Sequence, residues 1–378
     1  MTATSQITAD LIIIGGGIHG CSAAMFAAKR GMDVVIIEKD TVARHASGVN
    51  AGGVRRLRRD FREVPISQHS MELWYTLPDL VDDDCGFQVA PQIVVAETAD
   101  ELQTLADRVA TLNDMGFYHE TLLSQAELRD HLPAVSDHVV GGIASLRDGF
   151  AQPYQTTFAI SRQAKREGAR IFEGETVNAI TKCGPDWTVT TDQHTFRAPK
   201  TLNCAGAWAG KLAESLGEIA PVEPVAPMMM VTARLPPFCE AVIGAAGRPL
   251  SFKQMPNGTV VIGGGRLGNV DAATNLSEML FPELTLTAQT AMEIFPIMKQ
   301  AAVIRSWSGV EGRMPDNIPV IGKSAEHEGL YHAFGFSLHG FQMGPGVGDI
   351  MAELITNGST QWQIDPFSIA RFSKGLNT

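Results

Sequence analysis

The chain lacks the long hydrophobic runs that cross a membrane, since no apolar stretch approaches the ~20 residues that a spanning helix needs. Its first ten residues, MTATSQITAD, also lack the basic and apolar character of a signal segment. We therefore expect a soluble, cytoplasmic protein with no integral membrane span.

Cysteines are few and scattered along the chain. They form no CxxC pair and no spacing typical of metal ligands, and their positions are Cys21, Cys85, Cys183, Cys204 and Cys239. The pattern is typical of reduced thiols that pack in a cytosolic protein, and it predicts no metal site.

An excess of positive charge is missing as well. The 378 residues include 30 Lys and Arg against 41 Asp and Glu, and the net charge of −11 argues against nucleic-acid binding. Hydrophobic residues make up 44% of the chain and charged residues 19%, as in a folded globular protein. At ~150 residues per domain, this length predicts about two domains.

The most informative stretch that is present lies near the start of the chain. Residues 10–38 read DLIIIGGGIHGCSAAMFAAKRGMDVVIIE. An apolar strand over Leu11–Ile14 runs into a GxGxxG sequence, an Ala-rich helix follows, and a second apolar strand covers residues 34–37. This order of strand, Gly-rich turn, helix and strand is typical of a dinucleotide-binding βαβ unit.

Each glycine of this motif has a separate physical role. Gly15 permits a sharp turn, Gly17 lets the backbone approach a pyrophosphate, and Gly20 lets the helix lie close to the sheet. Glu38 ends the second strand, where its carboxylate could accept hydrogen bonds from a ribose diol. The phosphates would lie against free N–H groups at the positive end of the helix. A βαβ unit without a ligand is the alternative.

The sequence after Glu38 bears on which dinucleotide binds. Residues 41–53 read TVARHASGVNAGG and residues 54–74 read VRRLRRDFREVPISQHSMELW. This stretch resembles the flavin-contacting segment of the D-amino-acid oxidase, sarcosine oxidase and glycine oxidase superfamily. In that family a Ser/His/Gly loop is followed by an Arg-bearing stretch and a helix ending in Glu-Leu-Trp. The resemblance favours FAD over the alternative of an NAD-dependent dehydrogenase.

The resemblance extends over nearly the whole chain. It continues in GFAQP (residues 149–153), LNCAGAW (202–208), SGVEGRMPDNIPVIG (308–322) and YHAFGFSLHGFQMGPGVG (331–348). The last of these is closest to the FAD subunits of bacterial proline, opine and cyanide-forming glycine dehydrogenases. The motif combination is specific to the superfamily and not to one substrate.

The predicted fold is α/β, with a Rossmann-like FAD-binding domain and an antiparallel-sheet α+β substrate domain. Composition changes along the chain predict that both domains are discontinuous. The FAD-binding domain is expected to comprise residues 1–80, 141–215 and 302–378, and the substrate domain residues 81–140 and 216–301.

Five arginines crowd eight positions after the Gly-rich loop. Helical spacing would place Arg55, Arg58 and Arg62 on one face, with Arg56 and Arg59 on another. A guanidinium fork matches a carboxylate in a bidentate way. By resemblance to sarcosine oxidases, Arg58 binds the substrate carboxylate and Arg55 lies beside the flavin, whereas Arg56 and Arg59 are expected at the surface. The alternative is a solvated basic face paired with neighbouring acids.

The C-terminal motif both matches the family and departs from it. Gln342 follows His-Gly-Phe, where sarcosine oxidases have a carboxylate-binding lysine, so the substrate carboxylate would depend on one arginine. His339 is expected to donate to the flavin or contact substrate, unless it is a buried and satisfied histidine. His45 is expected over the flavin ring. A helix beginning near Gly348 would direct its positive end at the flavin.

The motif and the resemblance together imply a set of cofactor-contacting residues. These are Gly15, Gly17, Ile18, His19, Gly20, Glu38, Lys39, His45, Ser47, Gly52, Gly53, Val177, Ala205, Gly206, Trp208, Gly312, Gly340, Phe341, Gln342 and Met343. Some sarcosine oxidases attach FAD through a cysteine at the position matching Gly309. No cysteine follows Cys239 here, so we expect noncovalent FAD.

The implied activity is oxidation of the C–N bond of an amino acid or N-alkyl amino acid, by hydride transfer to FAD. The imine product would then hydrolyse. Residues 260–265 read VVIGGG where monomeric sarcosine oxidases have an oxygen-activating lysine, so oxygen, a quinone and a partner subunit all stay open as acceptors. One alternative is the FAD-bearing subunit of a heteromeric amino-acid or opine dehydrogenase. Another is a non-catalytic flavoprotein or electron-transfer partner. A homo- or hetero-oligomer is possible in each case.

Overall fold

The computed structural model describes residues 5–271 and 273–376. Its first layer is a six-stranded sheet, called here the parallel sheet. In spatial order its strands are Arg170–Glu173, Val34–Glu38, Leu11–Ile14, Lys200–Asn203, Leu330–Phe334 and Val320–Lys323. The last pair is antiparallel and the other pairs are parallel.

Both faces of the parallel sheet are covered, which explains why its strands are continuous apolar runs. One face packs against helices Ile18–Lys29 and Gly340–Asn357, and helices Val64–Val81 and Pro153–Arg166 pack on these two. The other face packs against a four-stranded sheet made of Ser5–Thr8, His194–Ala198, Asp186–Thr190 and Ala179–Cys183. The predicted strand–helix–strand unit at the start of the chain is present in this layer.

The second layer is an eleven-stranded, mainly antiparallel sheet, called here the large sheet. Its main path runs through Leu276–Glu278, Leu267–Asp271, Glu223–Thr232, Val260–Gly263, Ser251–Gln254, Val242–Ala245, Gln92–Ala96, Gly141–Ser145 and Thr121–Ser124. Val303–Ser308 and Glu311–Arg313 also pair with Glu223–Thr232. Helices Ala99–Asp114, Gln125–His131 and Phe281–Ile294 pack against this sheet.

Short elements connect the two layers. Gly53–Val54, Gly149–Phe150 and Gln88–Val89 form a three-stranded sheet. The remaining helices are Ala46–Val49 and Ala209–Glu214, with 3₁₀ turns at Gly206–Trp208, Pro296–Gln300, Asp365–Phe367 and Ile369–Leu376. None of the helices in the described residues is both long enough and apolar enough to span a membrane.

Strand pairing departs from the predicted division at two places. Gly141–Ser145 and Val303–Ser308 lie in segments predicted for the FAD-binding domain, yet both belong to the large sheet. Each is held by antiparallel partners in that sheet, so the chain returns to the parallel sheet later than predicted in both places. The exact domain boundaries stay a prediction.

Candidate functional site

A cavity of about 850 Å³ lies between the two layers. This volume is at the upper end of the range for ligand sites, roughly 300–1,000 Å³. One end, called here the nucleotide end, is formed by Gly15, Gly17, Ile18, His19 and Glu38. The other, called here the arginine end, is formed by Arg55, Arg58 and Arg59, and Met229 and Ile243 of the large sheet line the wall.

The Gly-rich turn at the nucleotide end has the predicted geometry. Gly15 has φ +113°, and a Cβ there would lie 2.3 Å from the carbonyl oxygen of Cys204. A Cβ at Gly20 would lie 2.0 Å from the carbonyl oxygen of Gly15. Glycine is therefore required for the turn and for the close approach of the helix to its strand.

The helix Ile18–Lys29 begins at the cavity, and its N-cap residue has no side chain that could cap the helix. Its N-cap is Gly17, and the Ile18 N–H donates to the Ser47 hydroxyl at 2.9 Å. The positive end of the helix is thus directed at the cavity, which is the arrangement that binds phosphate in dinucleotide sites.

Glu38 is fixed beside this turn. Its carboxylate accepts hydrogen bonds from the N–H groups of Gly16, at 2.6 Å, and Asp40, at 2.9 Å. Burial raises the pKa of Glu38, while these two hydrogen bonds act in the opposite direction. The position agrees with the role in binding a ribose diol that the sequence predicts.

A cluster of Lys39, His45 and Trp208 closes the nucleotide end. The Lys39 ammonium lies 3.0 Å from the centre of the Trp208 ring, and burial lowers the pKa of Lys39 to about 8. The His45 ring lies 4.8 Å from that of Trp208, and its Nε2 is 2.7 Å from the Asp40 carboxylate. His45 thus lies at the nucleotide end, away from the arginine end, and its position over the flavin ring stays a prediction.

His19 lies on the cavity wall with its ring stacked on Phe336, the ring centres being 3.6 Å apart. Burial lowers the pKa of His19 to about 3, so the ring is neutral. Its Nε2 has no hydrogen-bond partner in the described part of the chain. A polar atom without a partner at this position is consistent with the predicted contact to a cofactor.

Most of the predicted cofactor residues line the cavity. These are Gly15, Gly17, Ile18, His19, Glu38, Lys39, His45, Ser47, Gly53, Val177, Ala205, Gly206, Trp208, Gly312, Gly340 and Phe341. Gly20, Gly52, Gln342 and Met343 are not in the cavity wall. Gly20 instead packs the helix on its strand, and Met343 lies in the hydrophobic core.

The arginine segment is not helical, so the predicted division of its side chains between helix faces is wrong. The helix begins only at Val64, and Arg58 has the left-handed φ of 57°. Asp148 stabilises this irregular path because its carboxylate accepts hydrogen bonds from the N–H groups of Arg56, at 2.7 Å, and Leu57, at 3.0 Å.

Arg56 and Arg59 are buried, and their predicted surface position is therefore wrong. Arg56 pairs with Asp148 at 2.8 Å. Arg59 is 2% exposed and donates to the carbonyl oxygens of Arg55 and His339, at 3.1 and 2.7 Å, and to Gln342 Oε1, at 3.1 Å. Most of these partners are far away in the sequence, so local spacing gave no signal of the burial.

Arg55 and Arg58 line the cavity with fewer partners. Arg55 Nη1 donates to the carbonyl oxygen of Leu57 at 2.5 Å, and Arg58 Nη1 to that of Ala245 at 3.1 Å. Burial and neighbouring arginines lower the pKa of both. Within residues 5–271 and 273–376, neither guanidinium lies within 4.0 Å of a carboxylate oxygen. This end of the cavity therefore favours an anionic ligand.

The two predicted C-terminal site residues are engaged with other groups. His339 lies 2.8 Å from the Glu63 carboxylate through Nε2 and 2.8 Å from the Ser337 carbonyl through Nδ1. Both nitrogens are thus occupied, which fits the alternative of a buried and satisfied histidine. Gln342 is fully buried against the helix Val64–Val81, where its amide bonds to Ser67, because the helix Gly340–Asn357 begins earlier than the predicted start near Gly348.

Two acidic residues of the cavity wall, Glu175 and Glu311, were not predicted from the sequence. Glu311 lines the cavity on the strand Glu311–Arg313 and accepts a hydrogen bond from the Leu338 N–H at 2.8 Å. The sequence does indicate Glu311, because this acid lies between two glycines in SGVEGRMPD, a motif expected at the flavin. In the described chain, no three His, Cys, Asp or Glu side chains form a group that could hold a metal.

The fold and the Gly-rich turn define a dinucleotide-binding oxidoreductase. The family model described as FAD dependent oxidoreductase matches residues 10–354, and this chain belongs to that family. It is 26% identical to sarcosine oxidase subunit beta of Arthrobacter sp, over 97% of this chain and 91% of that protein. It is also 26% identical to hydrogen cyanide synthase subunit HcnC of Pseudomonas aeruginosa, over 97% and 96%. L-proline dehydrogenase from P. horikoshii has a TM-score of 0.91 at 25% identity, covering 98% of this chain and 99% of that one.

The residues at the nucleotide end fit FAD. A helix start directed at the cavity, a turn that only glycine permits and a fixed carboxylate are the groups that a pyrophosphate and a ribose require. Gly206 on the same wall has φ +55°, and a Cβ there would meet no atom within 4 Å, which leaves room for a ligand. When bound, FAD supplies the hydride acceptor.

Proposed function

We propose that the protein oxidises the C–N bond of an amino acid or N-alkyl amino acid, yielding an imine that hydrolyses. The observation that carries this proposal is the pair Arg55 and Arg58, two cavity-lining arginines without a carboxylate partner in the described residues. A carboxylate-bearing substrate supplies the missing charge. The names of relatives, which include glycine oxidase and sarcosine dehydrogenase, support the same class of substrate.

The two arginines are proposed to act differently. Arg58 is more exposed and is bonded to Ala245 of the large sheet, so it is available at the substrate side of the cavity. We assign the substrate carboxylate to it, because a guanidinium binds a carboxylate through two parallel hydrogen bonds. Arg55 is assigned to the flavin side. His339 and Gln342 then support the arginine end through Arg59 rather than contacting substrate.

A second candidate is the FAD-bearing subunit of a heteromeric dehydrogenase. It is favoured because two relatives, matched by this chain over nearly their full length, are themselves named as subunits. The acceptor would then be reached through a partner subunit, whereas the first candidate uses oxygen or a quinone directly. A cytoplasmic location goes with either candidate.

An anaerobic absorbance titration with amino and N-methyl amino acids tests the proposal. Bleaching of the flavin by one of them is the expected result, and readmitting air then separates an oxidase from a dehydrogenase. Bleaching that leads to turnover only with a co-purified partner favours the subunit candidate. Absence of bleaching with the whole panel, alone and with partner, contradicts the proposal and favours a non-catalytic flavoprotein.

The assignment of Arg58 has its own test. Arg58→Ala should raise KM for the bleaching substrate about 10- to 100-fold, since a hydrogen bond to a charged group is worth ~1.5–3 kcal/mol, while FAD stays bound. Arg62→Ala is the control, because Arg62 pairs with Asp60 outside the cavity. An unchanged KM for Arg58→Ala refutes the assignment.

A further inference from the structure

Glu311 is an acid that the proposed function has not used. It lines the cavity, and the only hydrogen bond of its carboxylate among the described residues is the one from the Leu338 N–H at 2.8 Å. No lysine, arginine or histidine of the described chain forms an ion pair with it. Burial raises the pKa of Glu311 from its usual 4.5 to about 7.

A strained turn connects Glu311 to the arginine end. Ser337 and Leu338 have left-handed φ values of 51° and 70°, which cost energy for residues other than glycine. The Ser337 hydroxyl accepts from the Met314 N–H at 3.0 Å, which fixes the turn on the strand of Glu311. The next residue, His339, accepts from Arg59 at 2.7 Å. The acid and the arginines are thus held on two sides of one turn.

The Glu311 carboxylate and the cavity arginines match the two charges of an amino acid. The carboxylate requires a cation, whereas the ammonium group requires an anion or a proton acceptor. An ammonium nitrogen has no lone pair to stabilise the carbon that loses hydride, so the amine must be neutral when oxidation occurs. A group with a pKa near the operating pH is best suited to take that proton.

We propose that Glu311 binds the substrate ammonium and accepts its proton. The inference rests on the proposed amine oxidation. In this step an N–H bond breaks and an O–H bond forms on the carboxylate, so a cation and an anion become an amine and a carboxylic acid. No oxidant is needed for the transfer, and the proton passes to solvent after product leaves.

The charged groups on the elements packed against Glu311 are bonded elsewhere. Arg313 on its own strand pairs with Glu223 on the adjacent strand. Across the turn, Arg59 bonds to carbonyl and amide oxygens, and His339 pairs with Glu63. None of them therefore offsets the burial of the Glu311 carboxylate, which leaves this group free to respond to a ligand.

The proposal is tested on the holoenzyme by the rate at which substrate bleaches the flavin anaerobically, measured from pH 6 to pH 10 in the wild type and in Glu311→Gln. In the wild type the rate should rise tenfold per pH unit below about pH 7 and level off above it. In Glu311→Gln the rate at pH 7 should fall about 100-fold, within the range for general-base catalysis, and recover toward the amine's own pKa. Glu223→Gln is the matched control. An unchanged pH profile in Glu311→Gln overturns the proposal.

Two ligands that are not oxidised test whether Glu311 binds the ammonium group even if the protein oxidises no amine. Trimethylglycine carries a fixed positive charge, and (methylthio)acetate carries the same carboxylate without nitrogen. Flavin absorbance should report at least tenfold weaker binding of trimethylglycine to Glu311→Gln at pH 8, with (methylthio)acetate unchanged or tighter. Equal weakening of both ligands overturns the role of Glu311, whether or not any amine bleaches the enzyme.

Thermal unfolding provides a readout without any ligand. When folding raises the pKa of a carboxyl, the protein's free energy of unfolding falls as pH rises from the unfolded-state pKa, near 4.5, through the folded-state pKa, near 7. Above the folded-state pKa the loss is constant. Glutamine has no such loss. The melting temperature of Glu311→Gln relative to the wild type should therefore rise between pH 5 and pH 8. A difference that is the same at all pH values contradicts the raised pKa on which the step depends.

Discussion

The nucleotide end and the arginine end of the cavity are built in different ways. The phosphate-binding turn and Glu38 at the nucleotide end depend on hydrogen bonds within residues 11–47, although Trp208 closes that end. The arginine end depends on side chains whose partners are distant in sequence, such as Asp148 for Arg56 and His339 for Arg59. A site made from local backbone can be recognised by residue spacing, whereas a site made from distant side chains requires the topology.

The two ends also differ in charge balance. At the nucleotide end, the Glu38 carboxylate is satisfied by two backbone N–H groups. At the arginine end, Arg55, Arg58 and Arg59 have oxygen acceptors but no carboxylate partner within the described chain. Changes at the first end should therefore affect retention of FAD, whereas changes at the second should affect stability and the binding of anionic substrate.

Gly20→Ala should have the largest effect. Its Cβ would lie 2.0 Å from the Gly15 carbonyl oxygen and 3.3 Å from Ile13 Cγ2, so the helix must move away from its strand. Overpacking of this kind costs about 3 kcal/mol, and here it also displaces the phosphate-binding turn. We expect a nearly colourless protein, measured by the ratio of flavin to protein absorbance, with a lower free energy of unfolding in urea.

Ser22→Ala is the matched control for this substitution. Ser22 lies on the same helix, is fully buried, and has a hydroxyl without a hydrogen-bond partner in the described residues. Its removal should change the free energy of unfolding by less than about 1 kcal/mol and leave FAD bound. If Gly20→Ala retains as much FAD as Ser22→Ala, the nucleotide end does not depend on the close approach of helix and strand.

Arg59→Ala should have an intermediate effect at the other end. It leaves the carbonyl oxygens of Arg55 and His339 without their guanidinium donor, and unsatisfied buried groups cost ~1–3 kcal/mol. The free energy of unfolding should fall by about 2 kcal/mol with FAD still bound. Arg59→Lys keeps the charge without the planar fork, so its free energy of unfolding should lie between those of the wild type and Arg59→Ala. Loss of FAD equal to that of Gly20→Ala would show that the two ends are not independent.

The same contrast explains what the sequence could predict. The βαβ unit, the steric need for glycine at Gly15 and Gly20 and the position of Glu38 follow from spacing within about 30 residues, and the structure has them as expected. The helical arrangement of the arginines was wrong because Asp148 imposes a turn on their backbone. The burial of Arg59 could not be predicted, because its acceptors include residues about 280 positions later.

Ser47→Ala and Ser70→Ala form the most sensitive test, because each removes one hydrogen-bonded hydroxyl from a different end. The Ser47 hydroxyl accepts from the Ile18 N–H at 2.9 Å. The Ser70 hydroxyl donates to the Gln342 carbonyl at 2.6 Å and accepts from the Gly346 N–H at 3.0 Å. Ser47→Ala should lose about 1 kcal/mol of unfolding free energy, the usual value of one such hydrogen bond, and Ser70→Ala roughly 1–2 kcal/mol, because its hydroxyl makes two.

Affinity for FAD, measured by titrating the apoprotein, should distinguish the two serine variants. Ser47→Ala leaves the Ile18 N–H without its acceptor at the helix start, where we expect the phosphate to bind. The turn is then less well fixed, and FAD affinity should fall roughly three- to tenfold, about 1 kcal/mol. Ser70→Ala should bind FAD as the wild type does, because its hydroxyl connects two helices behind the arginine end. Equal FAD affinities in the two variants would mean that the glycine backbone alone fixes the turn, and that Ser47 contributes only to stability.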